Sequence, residues 1–169
     1  MSSPAQPSVT SVTTAAPIVE ERASYDAAMT WLKSNPGFRF ALKERNVVAE
    51  GELKRPRVGM EVVTFKAEGA EWRGEAGLRG VVWSMRNGNS WKEATPPEYA
   101  ARMYQRVTVA FDPQKKEGTA QLASSDANAN VYRFTDANTG NVHEIRVNRK
   151  DAHIESMKIG DDVELTVKP

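Results

Sequence analysis

Over most of this chain hydrophobic and polar positions alternate with a period of two. Phe38, Phe40 and Leu42 interleave with Arg39, Ala41 and Lys43, a second apolar run covers 47–53, and a third covers 62–66. Alternation of this kind places one face of a strand against a core and the other in water. Gly80-Val81-Val82-Trp83-Ser84-Met85-Arg86 then runs into Asn87-Gly88, a strong hairpin turn, and returns along 89–93. With a three-residue loop Trp91 would share a face with Met85; with a two-residue loop it would face Ser84. Further strands are expected at 107–111, 118–123, 130–135, 142–148 and 162–168.

Two segments break this period. Ala27, Ala28, Trp31 and Leu32 form an apolar stripe at helical spacing, with Ser24 as a cap, Asp26 in the first turn and Asn35-Pro36-Gly37 as the stop. Thr95-Pro96-Pro97-Glu98 reads as a capping box opening a helix to about residue 105, which would bury Tyr99, Ala100 and Met103. Residues 151–157 show neither period and read as a helical or irregular bridge.

One turn pattern occurs twice. Arg57-Val58-Gly59-Met60-Glu61-Val62 and Lys158-Ile159-Gly160-Asp161-Asp162-Val163 each run basic, β-branched, Gly, any residue, acid, Val, and each opens a strand-like run. Glycine supplies the positive φ of such a tight entry. The fold class is therefore mainly β with two short helices: small antiparallel sheets or barrels of SH3-like or OB-like type. The expected division is a disordered arm over 1–23, a β-rich unit over 24–111, a polar linker at 112–118 and a small β unit over 119–169. The arm is rich in Ser, Thr, Ala and Pro yet carries Val9, Val12, Ile18 and Val19, so it could add a strand to a sheet edge.

Composition narrows the function. Hydrophobic residues make up 40% and charged residues 27% of the 169 residues, as in an ordinary globular protein, and the net charge of +1 gives the whole molecule no strong field for a polyanion. There is no cysteine, so no disulfide, thiolate metal site or cysteine nucleophile exists. The N-terminus lacks the basic and apolar regions of a secretory leader, and no apolar run approaches a transmembrane length. A cytoplasmic protein with no membrane partner is the expectation.

Candidate chemistry is sparse. Trp72, Trp83 and Trp91 lie among Arg73, Arg79, Arg86 and Lys92. On one surface they would make a platform on which single-stranded bases stack while cations follow the phosphates; otherwise the rings fill a small core. Gly77-Leu78-Arg79-Gly80 has the form of a phosphate-clamping GXXG loop but lies between strands, where a glycine-rich strand connection is the better reading. His143 shares parity with Ile145 and Val147 on an apolar face, and His153 stands near Asp151 and Glu155. Two histidines without cysteine make a zinc centre unexpected, and Asp161 and Asp162 follow Gly160 instead of bracketing it as a calcium loop requires. Hydrolase, metalloprotease, phosphate-loop and dinucleotide motifs are missing. The leading expectation is a non-enzymatic interaction or assembly protein without a cofactor, acting on a protein partner or on itself through sheet edges, hairpin 79–93 and the arm. The alternative is a module that binds single-stranded nucleic acid.

Overall fold

The computed structural model describes residues 15–116, 120–136 and 139–169. Helix α1 (Ala15–Ser34) leads into six strands: β1 (Gly37–Glu44), β2 (Val47–Arg57), β3 (Met60–Ala67), β4 (Ala70–Gly77), β5 (Gly80–Asn87) and β6 (Ser90–Glu93). Helix α2 (Glu98–Ala110) and a 3₁₀ turn at Pro113–Lys116 follow. Five more strands end the chain: β7 (Gln121–Ser125), β8 (Ala129–Thr135), β9 (Val142–Asn148), β10 (Ile154–Ile159) and β11 (Val163–Lys168).

All eleven strands form one antiparallel sheet in the order β6-β5-β4-β3-β2-β1-β11-β10-β9-β8-β7. The sheet does not close, so β6 and β7 are its edges. It consists of two meanders joined where β1 pairs with β11, with Phe40 opposite Val167 and Glu44 opposite Val163. The 24–111 and 119–169 segments thus share one sheet and one core in place of two separate small barrels. Of the expected linker, residues 117 and 118 lie outside the described residues.

One face of the sheet is covered by both helices. Phe38, Phe40 and Leu42 of β1, Val63 and Phe65 of β3, Trp72 of β4, Tyr132 of β8, Ile145 and Val147 of β9 and Leu165 of β11 are buried with Leu32 of α1 and Met103 and Val107 of α2. Phe38 stacks on Phe111 at the end of α2, with ring centroids 4.4 Å apart. Gly51 is required where β2 lies close against β3: a Cβ there would lie 1.9 Å from the Thr64 carbonyl oxygen. Gly74 leaves room for the ring of Tyr104, which a Cβ would meet at 2.7 Å.

Four expectations change. Helix α1 begins at Ala15, so residues 15–23 are helical instead of part of a disordered arm, and Ser24 lies inside the helix; residues 1–14 lie outside the described residues. Residues 107–110 continue α2 instead of forming a strand: Ala100, Met103, Val107 and Ala110 are its buried positions, and this helical spacing overrides the β propensity of Val-Thr-Val. No side chain caps α2, and Pro97 takes the N-cap position, so the expected capping box does not form. Residues 154–159 form β10; a register shift between Ile154 and Ser156 breaks the alternation that would have marked it.

Candidate functional site

The region of interest runs from β4 to β6. Asn87 pairs with Ser90, so the two-residue turn is Gly88-Asn89, one residue beyond the expected Asn87-Gly88, and Trp91 stands opposite Arg86 instead of Ser84. This register sets the faces. Trp72 pairs with Phe65 and Met85, and Gly74 pairs with Trp83, so Trp72 and Trp83 point to the helix-covered side. Trp72 is buried, its indole N–H facing the Tyr99 hydroxyl at 3.4 Å. Trp83 is half-buried against Tyr104, Trp72 and Phe65, with ring centroids 5.1, 6.3 and 6.4 Å away. Trp91 lies on the open face, with the Arg86 guanidinium 5.7 Å from its ring centroid.

The basic members of the group separate as well. Arg73 and Arg86 share the open face with Trp91. Arg73 bonds Glu75 at 3.2 Å, and Arg86 lies 3.7 Å from Glu71. Lys92 pairs with Met85 at the sheet edge. Arg79 is exposed in the β4–β5 turn, next to Gly80 with its φ of 102°. The Gly77–Gly80 segment is therefore a hairpin connection. The structure brings Arg73, Arg86 and Trp91 together and places Trp72, Trp83, Arg79 and Lys92 elsewhere.

The open face as a whole is a ladder of opposite charges. Lys168 meets Glu50 at 3.0 Å, Lys54 meets Glu52 at 3.3 Å, Arg133 meets Glu144 at 2.7 Å, and Arg146 meets Glu155 at 3.0 Å. A phosphate chain crossing this face would have to compete with the carboxylates for each cation.

Three polar groups near the core are structural. Arg55 of β2 donates to the carbonyls of Leu32 and Phe111 and to Glu61, and lies 5.4 Å from the Phe38 ring centroid. One cation thereby satisfies the C-terminal ends of both helices. Lys116 is buried and donates to the Val109 and Asp112 carbonyls at 2.7 and 3.2 Å, while the Tyr25 hydroxyl donates to its carbonyl. Burial, against the pull of Asp112 and with a smaller contribution from nearby Arg55, lowers its pKa to about 7. Glu44 is buried between Arg102 and Arg106 at 3.4 and 3.3 Å. Burial also raises the Tyr104 hydroxyl to about 12, with Glu61 adding to the shift.

His143 stacks on Phe134 on the covered side, with centroids 4.8 Å apart, and its pKa is lowered by burial and then by Lys116. His153 bonds Asp151 in the β9–β10 turn. Among the described residues no three His, Asp or Glu are grouped so as to hold a metal ion. None of the described helices is long and apolar enough to cross a membrane.

Sequence reasoning passed over the exposed apolar residues. Val58, Leu78, Val81, Val82 and Met85, on the β2–β3 turn or the β4–β5 hairpin, are exposed, as are Val48 of β2 and Val142 of β9. The signal was present: Val58 and Leu78 occupy turn positions, where polar residues are the rule. The sequence matches no protein-family model and no curated protein.

Proposed function

We propose that this chain is a non-enzymatic interaction or assembly protein that makes its contacts through hairpin 79–93. The observation that carries this reading is the exposure of Val81 and Val82 at the start of β5, which the much shorter β6 leaves without a partner strand on that edge; Val82 lies on the open face, and Val81 on the helix side with exposed Met85. Clustered exposed apolar side chains mark interaction sites, whereas scattered ones carry no such meaning. The edges themselves contribute less. Strand β6 has four residues, including Lys92 and Glu93; β7 has five, mostly polar, and a register shift. Short, charged or bulged edges resist strand addition. Residues 1–14 are the second element of the proposal, on their sequence alone.

The test is sedimentation velocity over a wide concentration range, with Val81→Lys/Val82→Glu as the comparison, a pair that leaves the net charge unchanged. Association in the wild type that is lost in the variant supports the reading. A strict monomer that captures no partner in a pull-down, and that tolerates deletion of residues 1–14, overturns it. The alternative, single-stranded nucleic-acid binding, draws on Arg86 seated over Trp91 beside Arg73. It requires that Trp91→Ala abolish oligonucleotide binding while the protein stays folded.

A further inference from the structure

The two ends of the β1–β6 meander differ in kind. At one end the turns are Arg45-Asn46, Glu68-Gly69 and Gly88-Asn89, all polar or glycine. At the other, Arg57-Val58-Gly59 and Leu78-Arg79-Gly80 present Val58 and Leu78 at 104% and 103% exposure. Neither side chain contributes to the core, and neither turn needs an apolar residue for its geometry. The turns belong to adjacent hairpins of one sheet, two strand spacings or about 10 Å apart. A cleft of about 610 Å³ lined by Val58, Gly59, Ala76 and Gly77 joins them, with Lys33 and Arg57 on its wall.

Two cations flank the apolar tips of this rim. Arg57 and Arg79 are exposed and form no hydrogen bond or ion pair among the described residues. The nearest acids are engaged: Glu61 bonds Arg55, and Glu75 bonds Arg73. A second copy meeting this rim face to face would set arginine against arginine. A flat anionic surface with an apolar interior has neither problem, because it takes two neighbouring apolar projections and their flanking cations without requiring a matching pocket.

We propose that the Val58 and Leu78 turns form a peripheral docking rim for anionic phospholipid bilayers, the two apolar side chains entering the headgroup boundary and Arg57 and Arg79 meeting lipid phosphates. The expectation of no membrane partner rested on spans and whole-molecule charge, and neither describes this rim. The inference is independent of assembly through Val81 and Val82.

The experiment is co-sedimentation of the full chain with phosphatidylcholine vesicles, with and without phosphatidylserine, at low and high salt. Binding to the anionic vesicles is expected, with little to phosphatidylcholine alone. Val58→Ser and Leu78→Ser should each weaken it about tenfold, and Arg57→Gln and Arg79→Gln about fivefold each. These positions are exposed turn sites, so circular dichroism and melting should be unchanged. Three results would overturn the proposal: no binding to anionic vesicles; binding that the serine variants leave intact and salt abolishes, which is surface charge without insertion; or serine variants that alter self-association while the wild type ignores vesicles, which assigns the rim to contacts between copies. Val81→Lys/Val82→Glu, which leaves both turns intact, should still bind vesicles, so loss of assembly and loss of docking remain separable.

Discussion

The two faces of the sheet are made from the same strands but hold their side chains by different physics. On the covered face, Trp72 and Trp83 pack with Phe65 and Tyr104 beneath α2, and apolar burial dominates. On the open face, Trp91 is touched by one guanidinium, and its neighbours are charge pairs in contact with water. Alternation along a strand sends near neighbours in sequence to opposite faces, so an interleaved run of tryptophan and arginine in the sequence becomes two unrelated surfaces in the fold. The lesson is that the covered face supplies stability, and that contacts with other molecules have to be sought on the open face, at the start of β5 and at the rim.

Substitutions can break this contrast, beginning with the covered face. Trp72→Ala should cost about 3–5 kcal/mol in denaturant unfolding, because it empties a buried site beneath Tyr99; a cost near that of an exposed residue would end the distinction. Arg55→Met should cost about 2–4 kcal/mol, since it leaves the Leu32 and Phe111 carbonyls and Glu61 without their shared donor. Gly74→Ala should cost about 1–3 kcal/mol, as its Cβ forces the Tyr104 ring to move; a Gly74→Ala/Tyr104→Leu double variant should recover part of that loss.

Lys116 offers a pH test of the same buried region. Its folded pKa of about 7 lies below the ordinary 10.5. The unfolded chain therefore holds a proton that the folded chain has released between these values, and unfolding takes that proton up. Relative to Lys116→Met, the wild type should gain stability as pH rises from about 7 toward 10, by at most about 1.4 kcal/mol per pH unit. A flat difference would mean that Lys116 keeps its proton on the helix carbonyls throughout. The smallest effect belongs to the open face: Trp91→Ala should change stability by less than about 1 kcal/mol, the scale of one exposed cation–π contact.

Much of the fold was legible in the sequence because alternation is a local signal. The first three strands and the Gly59 and Gly160 turns, with φ values of 80° and 60°, lie where pattern and turn chemistry agree, and the β5–β6 hairpin forms with its turn one residue later than expected. The errors fall where two signals conflict. Val107-Thr108-Val109 has strand propensity, yet its helical register joins Val107 to Met103 and Ala110 over the core. Strand β10 hides behind its register shift. The union of both meanders into one open sheet depends on β1 meeting β11, a pairing that spans most of the chain and leaves no local trace. The site was less legible. The facing of Trp91 depends on the register of one turn, that of Trp72 and Trp83 on the pairing of β3, β4 and β5, and the exposure of Val58 and Leu78 emerges only once every neighbouring strand is in place.

Sedimentation velocity of the full chain beside Val81→Lys/Val82→Glu tests the central claim, that hairpin 79–93 makes its contacts through exposed Val81 and Val82. The account predicts concentration-dependent association, or a stable complex with a captured partner, in the wild type. It predicts loss of that association in a variant that melts within about 1 kcal/mol of the wild type. A variant that unfolds, or one that associates as the wild type does, would contradict it.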